Sequence, residues 1–189
     1  MSKVCVVGVG TNDSPTPVHN NRVVCPFYRK WRNMLYRCYS SSYHDKEPTY
    51  KDCTVCDEWL TFSNFKRWME KQDWEHSDLD KDLLVKDNKV YSPETCCFLL
   101  SYINRFLQRK EASRGNYPIG VYLNKRTGKF IAQVGDPFRK KTVSLGSFLT
   151  PEEAHEAWRV AKCNFAKRLA TLCKDERVKV ALCRRYEVE

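Results

Sequence analysis

The sequence has no apolar run that approaches the roughly 20 residues of a membrane span, which argues against a membrane protein. Residues 1–10 lack an Ala-x-Ala-like cleavage site, so they are not interpreted as a signal peptide and a cytoplasmic location is expected. There is also no internal repeat and no low-complexity tract. What is present, 189 residues with 42% hydrophobic and 30% charged side chains, is typical of a soluble globular protein with one domain or two small ones.

An excess of positive charge favours a polyanionic partner. Lys and Arg number 33 against 23 Asp and Glu, a net charge of +10, and phosphate neutralisation drives nucleic-acid binding. A cationic surface kept for solubility is the alternative. Residues 1–110 carry 17 basic and 14 acidic side chains, whereas residues 111–189 carry 16 and 9. Between 115 and 150, six basic residues stand against Asp136 alone, so the C-terminal part is the candidate polyanion-binding region.

The first part of the chain is predicted to be mainly helical. Apolar positions every three or four residues predict a helix over 26–38 and a second amphipathic helix that carries Trp59, Phe62 and Phe65. Residues 79–84 and 90–91 are then predicted to form two short strands joined by a turn, followed by a helix over 92–108. This order of elements is strand, turn, strand, helix.

The second part is predicted to be a sheet backed by a helix. Three strand-like runs occupy 119–123, 129–134 and 142–148, and a capping box at Thr150 and Glu153 starts a long helix. A charged hinge at 109–117 separates the two parts. The predicted fold is therefore α+β, with domains at 1–110 and 111–189.

The segment 79–104 carries the residues that suggest catalysis. Together with the residues before it, this segment contains an ordered set of motif positions over about residues 26–108. These are Trp31, Met34, Arg37, Cys38, Val55, Cys56, Trp59, Phe62, Phe65, Leu79, Asp80, Lys81, Asp82, Asn88, Tyr91, Ser92, Pro93, Glu94, Thr95, Cys96 and Asn104. With these residues the chain resembles the HNH (His-Me finger) endonucleases, most closely the homing-endonuclease-like proteins of tailed bacteriophages.

This resemblance implies metal-assisted hydrolysis of DNA at a ββα hairpin. Asp80 and Asn104 would hold Mg²⁺ or Mn²⁺, and Asp82 belongs to the same candidate catalytic site. Lys81 stands where the family has its general-base histidine. A lysine serves as a base only with a strongly depressed pKa, and otherwise Lys81 could hold a phosphate. His76 is the other candidate base, or else an exposed loop histidine.

The ten cysteines suggest metal binding or burial rather than disulfides. Cys53-x-x-Cys56 has the spacing with which two thiolates on a tight turn bind zinc. A redox pair fits less well, because no strand–CxxC–helix unit surrounds it. The HNH resemblance adds Cys38 and Cys96, which gives a four-thiolate candidate for structural Zn²⁺. The alternative is that these are free buried thiols.

Residues 117–170 contain a second ordered set of motifs: Gly120-Val121, Lys125-Arg126, the run 129–134, Leu145-Gly146-Ser147-Phe148 and Thr150-Pro151-Glu152-Glu153-Ala154. With these motifs the segment resembles the plant APETALA/ethylene-response-factor DNA-binding domain, which phage homing endonucleases also carry. The resemblance implies a three-stranded sheet in the major groove of double-stranded DNA. The DNA contacts that it implies are Tyr122, Lys125, Arg126, Lys129, Phe130, Gln133, Arg139 and Lys141.

Together these patterns predict a sequence-preferring DNA endonuclease. An HNH-like nuclease domain, residues 1–110, would be targeted by the DNA-binding module of residues 111–189. The chain is expected to be a phage protein that acts in the bacterial cytoplasm, with a monomer favoured. The alternative is a catalytically degenerate HNH-fold protein that binds DNA or a host partner, in which Lys81 marks the loss of the base.

Overall fold

A computed structural model describes residues 4–20, 23–108 and 116–187. The chain divides into two compact units, Met1–Leu99 and Leu100–Glu189, so the division falls before the boundary expected after residue 110. Both units combine helices with small sheets, which confirms the α+β class. Within the described ranges, no helix is long and apolar enough to cross a membrane.

The first unit is built from helices and short, separately paired strands. In chain order its elements are β1 (Val4–Val6), β2 (Gly10–Asn12), β3 (His19–Asn20), β4 (Val23–Val24), α1 (Pro26–Tyr39), α2 (Ser41–His44), a 3₁₀ turn (Pro48–Tyr50), β5 (Thr54–Val55), a second 3₁₀ turn (Asp57–Leu60), α3 (Phe62–Met69), β6 (Ser77–Asp80), β7 (Val90–Tyr91) and β8 (Cys97–Leu100). β1 pairs with β2 and β3 with β4, both antiparallel. β5 pairs with β7 in parallel, and β6 pairs with β8.

The two amphipathic helices expected from the apolar spacing form the core of this unit. α1 begins at Pro26, which suits the first helical turn, and it buries Trp31 completely. α3 begins at Phe62, directly after the second 3₁₀ turn and Thr61. The indole nitrogen of Trp31 donates a 2.6 Å hydrogen bond to the carbonyl of Trp59, so a large buried ring also has its polar atom satisfied.

Of the elements predicted over 79–108, the strand at 90–91 lies where expected, whereas the first strand and the helix are wrong in position. β6 ends at Asp80 and residues 81–87 form bends and turns. β7 pairs with β5 instead of β6, whose partner is β8. The helix expected from Ser92 begins only at Ser101, because Cys97–Leu100 alternates buried and half-buried positions as a strand does. The predicted ββα hairpin is therefore not confirmed, although the chain order strand, loop, strand, helix is kept.

The second unit is a three-stranded antiparallel sheet packed on a long helix, as predicted. Its elements are α4 (Ser101–Leu107), β9 (Val121–Asn124), β10 (Lys129–Asp136), β11 (Lys141–Phe148), α5 (Pro151–Ala170) and α6 (Glu176–Arg184). β10 is the central strand, between β9 and β11. Ala132 and Val134 on β10 are buried, and α5 packs on this strand.

The start of α5 follows the predicted capping box. The Thr150 hydroxyl accepts the backbone N–H of Glu153 at 3.2 Å, and the Glu153 carboxylate accepts the backbone N–H of Thr150 at 3.4 Å. Further along α5, the ring of Trp158 approaches Gly120 so closely that a Cβ there would overlap it. Gly120 also has φ +82°, which glycine adopts without strain. This close approach seats the start of β9 against α5.

Candidate nucleic-acid interface

The face of the β9–β10–β11 sheet turned away from α5 is polar and largely exposed. On β10 the odd-numbered positions form this outer face, since Ala132 at an even position is fully buried. Gln133 lies directly opposite Ser144 on β11, and Ile131 lies opposite Tyr122 on β9. Residues in such cross-strand pairs share a face. The outer face thus presents an amide, a hydroxyl and a phenol, which can donate and accept hydrogen bonds.

Cationic turns lie at the two ends of this outer face. The β9–β10 turn holds Lys125 and Arg126, and the Asn124 side-chain oxygen fixes it by accepting the backbone N–H of Arg126 at 3.1 Å. The β10–β11 turn begins after Asp136 and holds Arg139. The eight residues of β10 lie between the two turns, and at about 3.3 Å per residue they span about 25 Å. Positive charge therefore flanks the polar face at both ends.

Asp136 organises the β10–β11 turn. Its Oδ1 accepts the backbone N–H groups of Phe138 at 2.8 Å and Arg139 at 3.1 Å, and its Oδ2 lies 3.8 Å from the Arg139 Nε. Burial acts against the charged form, but these N–H groups outweigh it and lower the pKa of Asp136. The side chain of Arg139 is 80% exposed, so its charge remains accessible to a polyanion.

Seven of the eight expected DNA contacts are exposed. These are Tyr122, Lys125, Arg126, Lys129, Gln133, Arg139 and Lys141. Phe130 does not share the outer face, because strand alternation places it on the side of Ala132, where its ring meets Tyr117 edge-on at 5.2 Å. Ile131, instead of Phe130, lies on the outer face, and Ser144 lies there as well. Sequence reasoning missed both, although the alternation along β10 was the signal for Ile131.

Asp80, the carboxylate expected to bind a divalent cation, closes a turn after β6. Its Oδ1 accepts the backbone N–H groups of Asp82 at 3.0 Å and Leu83 at 2.8 Å. Burial nevertheless raises the pKa of Asp80 above its usual value. In the part of the chain that the structure describes, no three His, Cys, Asp or Glu side chains gather where they could hold a metal ion. Cation binding by Asp80 with Asn104 is not tested by this finding, because the expected pair has a single carboxylate and an amide.

Lys81, at the position of the family's general base, is a buried ion-pair partner. Its Nζ donates to the Asp82 carboxylate at 2.5 Å and to the Asn88 carbonyl at 3.0 Å, and it lies 5.8 Å from the ring centre of Tyr50. Burial alone would lower the pKa of Lys81, but the hydrogen bond and charge of Asp82 outweigh it and raise the pKa. A general base requires the opposite shift, so this geometry disfavours Lys81 in that role.

His76 and Asn104 are the two remaining candidate catalytic residues. His76 is exposed just before β6, in a left-handed backbone conformation with φ +58°, which agrees with a solvated loop histidine. Asn104 is half-buried on α4, within the second unit, whereas Asp80 belongs to the first unit. A joint site formed by Asp80 and Asn104 stays a prediction.

The four cysteines expected to bind zinc are buried or half-buried thiols. Burial raises the pKa of Cys38 to about 12, and nearby Cys53 adds to the effect. Burial likewise raises the pKa of Cys96 to about 12, and it also raises the pKa of Cys56. Such thiols are neutral near pH 7. With no three-ligand cluster among the described residues, this geometry agrees with free buried thiols, and zinc binding stays a prediction.

A short segment of the chain is similar to a plant transcription factor. Over 50 residues, 26% of this chain, the sequence is 48% identical to the ethylene-responsive transcription factor ERF117 of Arabidopsis thaliana. The matched segment is 15% of that protein, so the chain spans a small part of its relative's length. No protein-family model and no solved structure matches the chain. The similarity supports in part the resemblance to the plant family and does not bear on the nuclease.

Proposed function

We propose that this chain binds double-stranded DNA through the outer face of the β9–β10–β11 sheet. The observation that carries the proposal is an exposed, hydrogen-bonding sheet face with cationic turns at both ends. The net charge of +10 and the 50-residue similarity to a transcription factor support it. The opposite face is occupied by α5, so the outer face is the one left to meet a ligand.

The dimensions of the sheet suit the major groove. Neighbouring strands about 4.8 Å apart place β9 and β11 about 10 Å apart, and the groove is about 12 Å wide. In this position Gln133 reads base edges, because a side-chain amide pairs with the edge of adenine, and Ser144 adds a hydroxyl beside it. Arg126, Lys129 and Arg139 neutralise phosphates, which sets affinity and register.

The salt dependence of binding tests this proposal. The full chain is titrated onto a duplex of about 30 base pairs at several salt concentrations. Each lost phosphate contact removes about 0.9 from the log–log slope, so Arg126→Ala with Lys129→Ala should lower the slope by about 2. Arg184→Ala is the matched control, since Arg184 is exposed on α6 and not on the sheet, and it should leave the slope nearly unchanged. Equal slopes for wild type and the double variant would refute the proposal.

A second function, divalent-metal hydrolysis of the bound DNA, is favoured by the order of elements after residue 76. β6 ends at Asp80 and pairs with β8, and the chain runs from β8 directly into the helix that carries Asn104. This is the strand–loop–strand–helix order of the endonucleases that the sequence resembles. The ion pair of Lys81 counts against it. The competing function is DNA or host-protein binding without catalysis.

Nicking of a supercoiled plasmid separates these two functions. The full chain is incubated with Mg²⁺ or Mn²⁺, with and without chelator, at matched DNA occupancy. Asp80→Asn keeps the oxygen that closes the turn and removes the charge that a cation needs, so it should abolish nicking and leave DNA binding near wild type. Asp78→Asn, on the same strand, breaks only an ion pair with Lys30 (3.6 Å) and should still nick. No nicking by wild type would favour the non-catalytic function.

A further inference from the structure

A cationic cleft of about 520 Å³ lies within the second unit, between α4 and the β10–β11 turn. On one side, α4 contributes Tyr102, Arg105 and Phe106 to its wall. On the other side, the wall runs from the end of β10 to the start of β11 and includes Lys140 and Lys141. The cleft therefore adjoins the cationic turn at one end of the candidate DNA-binding face.

The charges in this cleft are not balanced. No described residue forms an ion pair with Arg105, Lys140 or Lys141. The carboxylate in the wall, Asp136, is already engaged, since its Oδ1 accepts two backbone N–H groups and its Oδ2 faces Arg139. Three unpaired cations around a concave site create a positive potential that attracts anions.

Both walls of the cleft are held in place by packing. Lys140 has φ +54°, and in the same turn the ring of Phe138 lies 4.2 Å from the guanidinium of Arg168 on α5. On the opposite wall, the Nζ of Lys162 donates a 2.6 Å hydrogen bond to the carbonyl of Phe106, which fastens the end of α4 to α5. The cations thus stand on supported elements, as a preformed site requires.

From this arrangement we infer that the cleft binds a backbone phosphate of the DNA that lies against the sheet. The inference rests on the proposed DNA binding and extends it beyond the β10–β11 end of the sheet. Continuity favours the DNA backbone over a free phosphate compound, because Lys141 belongs both to β11 and to the cleft wall, two residues from Arg139. The guanidinium of Arg105 can donate two parallel hydrogen bonds to one phosphate, and the lysines add charge.

The test measures the salt dependence of DNA binding by a cleft variant of the full chain. Arg105→Gln with Lys140→Asn removes two of the cations, and asparagine tolerates the left-handed backbone of residue 140. The log–log slope should fall by about 2 relative to wild type. The control, Arg184→Gln with Lys167→Gln, removes the same amount of charge outside the cleft. Its log–log slope should fall much less. Unchanged thermal unfolding shows that a variant is folded.

The possible results distinguish phosphate binding in the cleft from DNA binding by the outer face of the sheet. A wild-type slope in the cleft variant, with a lowered slope in Arg126→Ala/Lys129→Ala, would overturn the cleft assignment and leave DNA binding by the sheet intact. No DNA binding by wild type would overturn both. Binding of inorganic pyrophosphate that the cleft variant loses, with an unchanged DNA slope, would assign the cleft to a free phosphate compound. If the double variant does not fold, Lys140→Asn alone, expected to lower the slope by about 0.9, decides.

Discussion

Lys162 is expected to make the stability of the protein depend on pH above neutrality. It is buried on α5, and its Nζ lies 3.4 Å from the ring centre of Phe106, 5.0 Å from that of Tyr186 and 5.8 Å from that of Trp158. Among the described residues, no carboxylate pairs with it. Burial lowers the pKa of Lys162 from 10.5 to about 7, and the charge of Arg185 adds to this.

The sign and size of the effect follow from the two states of the chain. In the unfolded chain Lys162 keeps its ordinary pKa, so between about pH 7 and pH 10 the unfolded state binds more protons and the free energy of unfolding rises with pH. The pKa difference corresponds to about 5 kcal/mol, which is the net cost of burying the charged instead of the neutral amine and already includes the attraction to the rings. Lys162→Met also loses the hydrogen bond to Phe106, worth about 1 kcal/mol, so it should stabilise the protein by about 4 kcal/mol at low pH, where wild type buries a charge.

Urea unfolding of the full chain at about pH 6 and about pH 10 measures this difference. At the higher pH the lysine is neutral, so Lys162→Met should lose about 1 kcal/mol with the hydrogen bond, and the sign of its effect should reverse. Lys167→Met, which changes an exposed lysine of the same helix, is the control and should have little effect at either pH. The same effect of Lys162→Met at both pH values would show that the charge of Lys162 does not destabilise the folded protein. So would a ¹³Cε NMR titration in which Lys162 behaves like the exposed lysines.

Three further predictions concern the rest of the chain. Gly120→Ala should destabilise the protein by about 3 kcal/mol, because the added Cβ would overlap Trp158. Gly128→Ala is the control and should cost about 1 kcal/mol, because Gly128 has φ +67° but no atom within 4 Å of the added Cβ. Equal losses of stability in thermal unfolding would contradict this prediction. Lys81→Met should cost about 2 kcal/mol in urea unfolding, because its two hydrogen-bond acceptors lose their donor, and an unchanged midpoint would mean that the ion pair is not structural. If the four cysteines bind zinc, metal analysis should find about one zinc per chain, lost in Cys56→Ser; folded protein without zinc would leave them as thiols.

Two similar motifs show how far local sequence predicts this fold. Thr150 and Glu153 exchange hydrogen bonds and α5 follows. Ser92 and Thr95 exchange equivalent bonds, at 3.2 and 3.4 Å, but no helix follows directly. The difference lies downstream, where Cys96–Leu100 is an unbroken apolar run instead of apolar positions every three or four residues. Such a run is ambiguous between strand and helix, and its pairing with β6 decides the outcome.

The candidate site was predictable where neighbouring residues decide the geometry. The turn at Lys125 and Arg126 and the alternation along β10 are local features, and the structure has both. The role of Lys81 was not predictable in this way, because its burial beside Tyr50 and its hydrogen bond to the Asn88 carbonyl, seven residues away, depend on the fold. The sequence shows a lysine next to two aspartates and leaves open which of them pairs with it.

On β10, the central strand of the second unit, the residues that stabilise the fold and those on the outer face alternate. Ala132 and Val134 are buried on the side of α5, so changes there disturb the core, whereas Gln133 points to the opposite face. A bulge opposite the 132–133 step places an extra residue in β11 and brings Ser144 into line with Gln133. Side chains on the outer face can therefore change without loss of packing against α5. A sheet built in this way can acquire a new base preference while its fold is maintained, because the residues that would read DNA bury little apolar surface.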